Sequence, residues 1–188
     1  MAKLVYSAIC SLDGYIEDKG GSFDWAVPDD EVHAFINDHE RTTGTGLYGR
    51  RMYETMSAWE SDSSLPELSP VMRDFADIWR ESEKVVYSST IEAPWTVRTR
   101  VERTFEPEAV RELKAEARQD ISIGGPELAA HAFRARLVDE CQLFLAPIIV
   151  GSGKPALPRD VRLDLALQDE RRFRGGFVFL RYQITAES

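Results

Sequence analysis

The chain has 188 residues, of which 43% are hydrophobic and 29% are charged, and its formal net charge at pH 7 is −9. This length and composition predict a single soluble globular domain over residues 1–188. The acidic balance disfavours nucleic acid or an anionic membrane surface as the main partner. No apolar run reaches the length of a membrane span and the N-terminus lacks a signal-peptide layout, so we expect a cytoplasmic protein.

Segments typical of strands and helices alternate along the chain, which predicts an α/β fold with a largely parallel sheet. In chain order we predict a strand over 3–10, a turn region with Asp13-Gly14 and Gly20-Gly21, a helix over 28–42 capped by Asp29 and a strand over 45–49. The turn after Gly49-Arg50-Arg51 is predicted to start a helix that runs through Tyr53 and Met56. The rest of the chain predicts a helix over 69–82, a strand over 84–89, an exposed edge strand over 96–101, a helix over 106–119, a strand over 121–125, a helix over 126–137, a strand over 139–151 broken at Pro147, and an antiparallel strand pair over 162–185.

The cysteines and histidines do not indicate a metal site. Cys10 and Cys141 lie in separate apolar runs, which favours two buried free thiols, with a disulfide as the alternative. His33, His39 and His131 are scattered, and the chain has no Cys-x-x-Cys or His-x-x-x-His spacing. We therefore predict that no metal is bound.

Three predicted strands end in groups that suit phosphate. Gly49 lets the backbone approach a ligand closely, and Arg50 and Arg51 present guanidinium groups that match phosphate oxygens. The second strand is followed by three hydroxyl groups, and the third runs through two glycines into a helix whose N-terminal amides favour an anion. The remaining residues of these segments are Ser88, Ser89, Thr90, Gly124, Gly125 and Pro126.

Each of the three signals has an ordinary structural alternative: a surface turn, a polar loop and a plain strand-to-helix turn. Their common position carries the prediction, because ligands of open parallel sheets collect outside the carboxyl ends of the strands. The chain has no Gly-x-Gly-x-x-Gly fingerprint after a strand. The segment "GSGKPAL" at 151–157 lacks the spacing and the hydroxyl residue of a nucleotide-binding P-loop.

Taken together, these motifs resemble the dihydrofolate reductase superfamily, and most closely its riboflavin-biosynthesis reductase branch with stand-alone members. The resemblance covers nearly the whole chain. It rests on "SLDGYI" at 11–16, "DW" at 24–25, "LYGRRMYE" at 47–54, "SIGGPELA" at 122–129, "LVDECQLFLAPIIVGSG" at 137–153 and "FVFLRYQ" at 177–183. It implies a three-layer α/β fold with a mostly parallel, mixed central sheet, an antiparallel C-terminal strand pair and helices on both faces.

The resemblance also implies an NADPH-dependent reductase acting on a small molecule. The Gly-Arg and serine segments would hold the adenosine 2′-phosphate. The turn from Gly124-Gly125 into the next helix, including Glu127 and Leu128, would hold the pyrophosphate. Ala8, Ile9 and Ile16 would line the nicotinamide. Tyr53 is interpreted either as a core residue or as a cofactor contact, and the second is preferred.

On the substrate side, the spacing Trp-x-x-Pro-x-Asp makes Asp30 the counterpart of a pterin-binding carboxylate, with Trp25 covering the reacting centre. The alternative for Asp30 is a simple acidic first turn, where the helix dipole favours carboxylates. The alternative for Trp25 is packing. Trp59 and Tyr15 are expected to complete the pocket.

Two departures leave the substrate open. The segment 53–68 lacks the Asp-x-Pro-x-Leu-x-x-Arg pattern of ribose-phosphate recognition, and Leu143 stands where the folate enzyme has threonine. The leading hypothesis is therefore an NADPH-dependent reductase of a small heterocycle or carbonyl compound. A flavin- or deazaflavin-dependent reductase and a non-catalytic nucleotide-binding module are the alternatives. The resemblance also implies a homodimer, for which the apolar run 143–150 offers a surface, although burial within the sheet explains that run equally well.

Overall fold

A computed structural model describes residues 1–61 and 69–185. The final part of the segment without the ribose-phosphate pattern, residues 62–68, lies outside the described residues. The strands are β1 Leu4–Ser11, β2 Tyr15–Asp18, β3 Thr43–Gly49, β4 Glu83–Tyr87, β5 Thr99–Glu102, β6 Asp120–Gly124, β7 Glu140–Ala146, β8 Gly153–Pro155, β9 Asp164–Arg172 and β10 Val178–Thr185. The helices are α1 Asp30–Glu40, α2 Arg50–Met56, α3 Ala58–Ser61, α4 Pro70–Glu81, α5 Pro107–Glu116 and α6 Pro126–Arg134, with a 3₁₀ turn at Asp24–Ala26.

Within the described residues, eight strands form one sheet in the order β5-β4-β3-β6-β1-β7-β10-β9. The six strands from β5 to β7 are parallel to their neighbours, and β10 runs antiparallel to both β7 and β9. Strand β5 lies at one edge, as its alternating sequence predicted. The predicted mostly parallel sheet with an antiparallel C-terminal pair is confirmed.

Helices cover both faces of the sheet, which confirms the three layers. One face packs the apolar sides of α5 and α6 against β1, β3 and β6 through a cluster that includes Leu4, Tyr6 and Phe133. The other face holds two clusters, one around Val32 of α1 and one around Trp79 of α4. Adjacent residues of a strand point to opposite faces, so each strand supplies both layers of core.

The helix starts follow from local chemistry. The Asp29 carboxylate caps α1 by accepting a hydrogen bond from the Val32 amide at 2.9 Å. Ser69 caps α4 by accepting from the Met72 amide at 3.3 Å, and Pro70 occupies the first helical position. The Asp29 cap was predicted from the sequence, whereas Ser69 was predicted only as the first residue of its helical segment.

The structure adds a feature that the turn-rich segment after β1 did not predict. Strand β2 pairs antiparallel with β8 to form a separate two-stranded sheet. An added Cβ at Gly153 would lie 1.8 Å from the Glu17 carbonyl oxygen, so glycine is required for this approach. Backbone pairing therefore joins the segment after β1 to the segment after β7.

The first half of the apolar run 143–150 lies inside the sheet and not on the outer surface of the protein. Strand β7 lies between β1 and β10, so Leu143 and Phe144 are part of the central sheet and the burial explanation holds for them. The free edge on this side is β9. Cys10 and Cys141 are free and buried, and Cys141 lies opposite Tyr6 rather than Cys10 in the β1–β7 register. Burial raises the pKa of the Cys10 thiol to about 11.

Among the described residues, no helix is both long and apolar enough to cross a bilayer.

Candidate functional site

The three predicted phosphate segments follow adjacent strands of the sheet. In the β3–β4 pair Gly49 lies opposite Tyr87, and in the β3–β6 pair Tyr48 lies opposite Gly124. Neighbouring strands are about 4.8 Å apart, so the residues that follow these strand ends lie side by side. The structure therefore brings Arg50, Ser88 and Gly125 to one stretch of the carboxyl edge.

The Gly-Arg segment lies in the middle of this edge. Gly49 ends β3 in an extended conformation, and a Cβ added there would lie 3.8 Å from the Cβ of Leu128 in α6. Arg50 pairs with Glu54 one turn along α2 at 3.5 Å, and both side chains are about half exposed. Arg51 is exposed. An exposed pair of this kind contributes little stability, so the Arg50 guanidinium can exchange Glu54 for another anion at low cost.

The serine segment uses its hydroxyls in two ways. Ser88 is buried, and its Oγ accepts hydrogen bonds from the amides of Thr90 and Ile91 at 3.2 and 3.1 Å. Ser89 and Thr90 are exposed. Ser88 therefore shapes the turn. Its Oγ also lies 3.3 Å from Thr90 Oγ1, so the Thr90 hydroxyl is hydrogen-bonded within the turn although the residue is exposed. Arg103 braces the same turn by donating to the carbonyls of Ser88 and Ile91 at 3.3 and 2.7 Å.

The Gly124-Gly125 turn leads into a helix start that no side chain of the described residues caps. Gly125 has φ of 89°, which favours glycine, and a Cβ there would lie 3.5 Å from the Met52 Cβ of α2. Pro126 has no amide hydrogen, and the amides of Glu127 and Leu128 precede the first intrahelical donor, Ala129, which bonds to the Gly125 carbonyl. The turn thus presents backbone donors and a positive helix end at the same edge. The Leu128 side chain itself is buried in the core, so only its backbone is available.

The segment predicted to line the nicotinamide is held by the β2–β8 sheet. Ile16 is half-buried and lies at an irregularity in β2, between Tyr15 and Glu17. The Asp13 carboxylate accepts hydrogen bonds from the amides of Gly151 and Val150. Its pKa is lowered, chiefly by a hydrogen bond from the Ser11 hydroxyl and further by these amides. The "SLDGYI" loop is therefore tied to the chain that follows β7.

Ala8 and Ile9 lie on opposite faces of β1. Ala8 packs toward the α6 side and Ile9 toward the α1 side. Their side chains therefore belong to different core clusters, and their contact with the nicotinamide stays a prediction.

The structure also corrects the preferred interpretation of Tyr53. This residue is fully buried, and its hydroxyl shares a 2.8 Å hydrogen bond with Thr96 Oγ1 and accepts from the Trp95 amide at 3.1 Å. Its ring lies 4.6 Å from the Trp95 ring, which is half exposed. Tyr53 is a core residue that positions Trp95, because a side chain without exposed surface does not contact a ligand.

On the predicted substrate side, Asp30 is the exposed first residue of α1, directly after the capping Asp29. Trp25 is half-buried in the 3₁₀ turn and packs against the same cluster as Ile9, while its indole nitrogen is buried without a hydrogen-bond partner among the described residues. Next to Asp30, the buried His33 packs against Trp59, with ring centroids 5.7 Å apart. Burial lowers the pKa of His33, an effect partly offset by the nearby carboxylates.

Two basic residues of the carboxyl end were missed in the sequence. Arg103 follows β5, whose alternating pattern indicated only an exposed edge. Lys154 lies in β8, and the sequence around it was considered only as an imperfect P-loop. Its Nζ lies 3.1 Å from Glu127 Oε1, which places it beside the start of α6. The available signal for both was a basic residue shortly after a strand end.

The fold has clear relatives among solved structures. A putative riboflavin biosynthesis protein from Shewanella sp. PV-4 superposes with a TM-score of 0.75 at 20% identity, covering 99% of this chain and all of that one. A diaminohydroxyphosphoribosylaminopyrimidine deaminase/5-amino-6-(5-phosphoribosylamino)uracil reductase from Thermotoga maritima superposes with a TM-score of 0.64 at 14% identity, covering 98% of this chain and 57% of that one. These likenesses define the class as proteins of the dihydrofolate reductase-like fold, as the sequence resemblance implied.

Sequence comparison narrows the class to one family. Residues 2–178 match the RibD C-terminal domain, and the chain belongs to this family, which is a family of reductases. It is also 27% identical over 186 residues to the uncharacterized protein YyaP of Bacillus subtilis (strain 168), covering 96% of this chain and 94% of that one.

Proposed function

We propose that this protein is an NADPH-dependent reductase that transfers a hydride to a small heterocyclic or carbonyl substrate. The observation that carries the proposal is the meeting of guanidinium, hydroxyl and amide donors at the ends of β3, β4 and β6. A phosphorylated dinucleotide lying across these ends meets all three kinds of donor. Membership of a reductase family supports the same conclusion.

The donors divide the cofactor between them. The Arg50 and Arg51 guanidiniums and the exposed hydroxyls of Ser89 and Thr90 would hold the 2′-phosphate that distinguishes NADPH from NADH. The amides at the start of α6 would hold the pyrophosphate.

Hydride transfer itself requires few reactive side chains, because NADPH supplies the hydride when it is bound. The residues of the chain bind and orient the two reactants and exclude water. The turn at Trp25 and the β2–β8 sheet would close the reacting region. Asp30 is proposed as a substrate-side carboxylate, because its exposure leaves its oxygens accessible to a polar group of the substrate.

The decisive experiment is a binding titration of NADPH and NADH against the wild type and Arg50→Ala. We expect the wild type to prefer NADPH and the variant to lose about ten- to a hundredfold in NADPH affinity, since a charge-assisted hydrogen bond contributes about 1.5–3 kcal/mol. NADH binding should change little. Arg80→Ala is the matched control, because Arg80 also forms a short-range ion pair on a helix surface, with Asp77. Equal affinity of the wild type for both cofactors would contradict the proposal.

A homodimer also remains a prediction. Pairing of two copies through their sheets would use the exposed edge strand β9, because β7 is enclosed by its neighbours. Sedimentation at micromolar concentration tests this, and a monomer would overturn it.

A further inference from the structure

Lys154 links three segments at the carboxyl end of the sheet. It lies in β8, and its Nζ is 3.4 Å from Glu17 Oε1 of β2 and 3.1 Å from Glu127 Oε1 in the first turn of α6. The Lys154 side chain is 21% exposed and Glu17 is 26% exposed, whereas Glu127 is 77% exposed. The ammonium group is thus held near the sheet, and one of its two carboxylate partners is largely in solvent.

The backbone around Lys154 is fixed from several directions. The Tyr6 hydroxyl donates to the Ala156 carbonyl, and the Ala156 amide donates to the Gly14 carbonyl at 2.9 Å. The preceding Gly153 lies against the Glu17 carbonyl, where no side chain fits. The lysine stem therefore starts from a rigid point, and its head group reaches the helix start.

The two partners of Lys154 differ in how readily they are replaced. An ion pair with a largely exposed carboxylate contributes little, because water competes for both charges. The Glu17 pair is better shielded. An anion that arrives at the amides of α6 would meet the Glu127 carboxylate as a like charge and the Lys154 ammonium as an opposite charge.

We propose that Lys154 is a phosphate-binding residue of the cofactor site, with its ammonium exchanging Glu127 for a pyrophosphate oxygen while keeping Glu17. This inference rests on the proposed function and adds a residue to that site. Since Glu17 belongs to β2, the same lysine connects the pyrophosphate to the strand that carries Ile16. Its contribution is common to NADPH and NADH, unlike that of Arg50.

Two fragments of the cofactor separate the roles of Lys154 and Arg50. ADP-ribose carries the pyrophosphate without a 2′-phosphate, and 2′-AMP carries a 2′-phosphate without a pyrophosphate. In calorimetric titrations, Lys154→Gln should weaken ADP-ribose about tenfold and leave 2′-AMP unchanged, while Arg50→Ala should do the reverse. Glu127→Gln should tighten ADP-ribose about two- to fivefold, because it removes the competing carboxylate. Lys154→Arg keeps the charge and should restore most of the affinity.

The outcomes are distinct. Unchanged ADP-ribose binding in Lys154→Gln would overturn the assignment of Lys154, even with the preference for NADPH intact. Equal weakening of both fragments by Lys154→Gln, with no rescue by Lys154→Arg, would show a structural role in the β2–β8 sheet and would also overturn it. Failure of the wild type to bind either fragment would overturn the proposed function together with this inference.

Discussion

The two ends of the parallel sheet gather polar groups in different ways. The carboxyl end carries backbone amides, exposed hydroxyl residues and the side chains of Arg50, Arg103 and Lys154, and α6 begins there. At the amino end, a cavity of about 220 Å³ is lined by four carboxylates, those of Asp38, Glu40, Asp120 and Glu140, and by the basic residues Lys3, His39 and Arg181. This cavity therefore does not lie where donors for a dinucleotide meet.

Parallel topology explains this difference. In a sheet whose strands are joined by helices, helix starts point to the carboxyl end and helix ends to the amino end, so the dipoles favour anions at the first and cations at the second. The amino end supplies its own cations: Lys84 Nζ donates to the carbonyls of Trp79 and Ser82, both at 2.8 Å, and Lys114 Nζ donates to the Leu137 carbonyl at 2.9 Å. At the amino end, lysines of the chain itself thus pair with the carbonyls of helix ends and loops, whereas the carboxyl end leaves hydrogen-bond donors for a ligand.

The largest expected effect tests whether the carboxyl end depends on a close backbone approach. Gly153→Ala places a methyl group against the Glu17 carbonyl oxygen, so β2 and β8 must separate. We expect a loss of about 3 kcal/mol in the free energy of unfolding, measured by urea denaturation, and weaker binding of both nicotinamide cofactors. Gly151→Asn is the control, because Gly151 has φ of 79°, which asparagine tolerates, and open space around its Cβ position. An alanine at position 153 without loss of stability would show that the two strands are not in close contact.

A smaller effect is expected at the amino end, from Glu40. Burial raises the pKa of its carboxyl to about 7 from the usual 4.5. The folded state then binds the proton more tightly than the unfolded state. The contribution of protonated Glu40 to the free energy of unfolding is therefore fully present below pH 4.5 and is lost as the pH rises through 7. Glu40→Gln should therefore gain stability relative to the wild type across this window, by about 1–2 kcal/mol because Glu40 keeps some contact with solvent.

Denaturation of wild type and Glu40→Gln at pH 4.5 and pH 8 measures this difference. Cofactor affinity should stay unchanged in the variant, since Glu40 lies at the opposite end of the sheet from the phosphate segments. A stability difference that does not depend on pH would contradict the assignment, and a change in NADPH affinity would break the separation of the two ends.

The main sheet could be predicted from the sequence because its signals are local. Alternating strand and helix patterns, the cap at Asp29 and the proline at the start of α6 each depend on a few neighbouring residues, and the structure contains each of them. The element ends are less exact, since the strand predicted over 96–101 begins at Thr99 and the one predicted over 139–151 ends at Ala146. The common edge of the three phosphate segments was predictable too, because parallel strands place their carboxyl ends together.

The remaining features depend on contacts between distant parts of the chain. The β2–β8 sheet joins residues more than 130 positions apart, and neither short strand has a pattern of its own. The same holds for Tyr53: its place in a strand-to-helix motif indicated a cofactor contact, but its hydroxyl is used by Thr96 and Trp95, some 40 residues later. Lys154 was likewise visible only as a residue of an imperfect motif. Long-range pairing of this kind leaves little trace in a single sequence.

The smallest expected effect concerns the serine segment of the carboxyl end, where a hydroxyl that shapes the turn is compared with an exposed one that would contact the cofactor. Ser88→Ala removes the acceptor of two amides in a buried turn, which should cost about 1–2 kcal/mol of unfolding free energy. Ser89→Ala changes an exposed hydroxyl and should leave stability within about 0.5 kcal/mol, while weakening NADPH by up to about tenfold and NADH hardly at all. Urea denaturation and cofactor titration of the two variants measure both quantities. If Ser88→Ala alone altered the preference for NADPH, the buried hydroxyl rather than the exposed one would be the phosphate contact, and the turn would have to open when the cofactor binds.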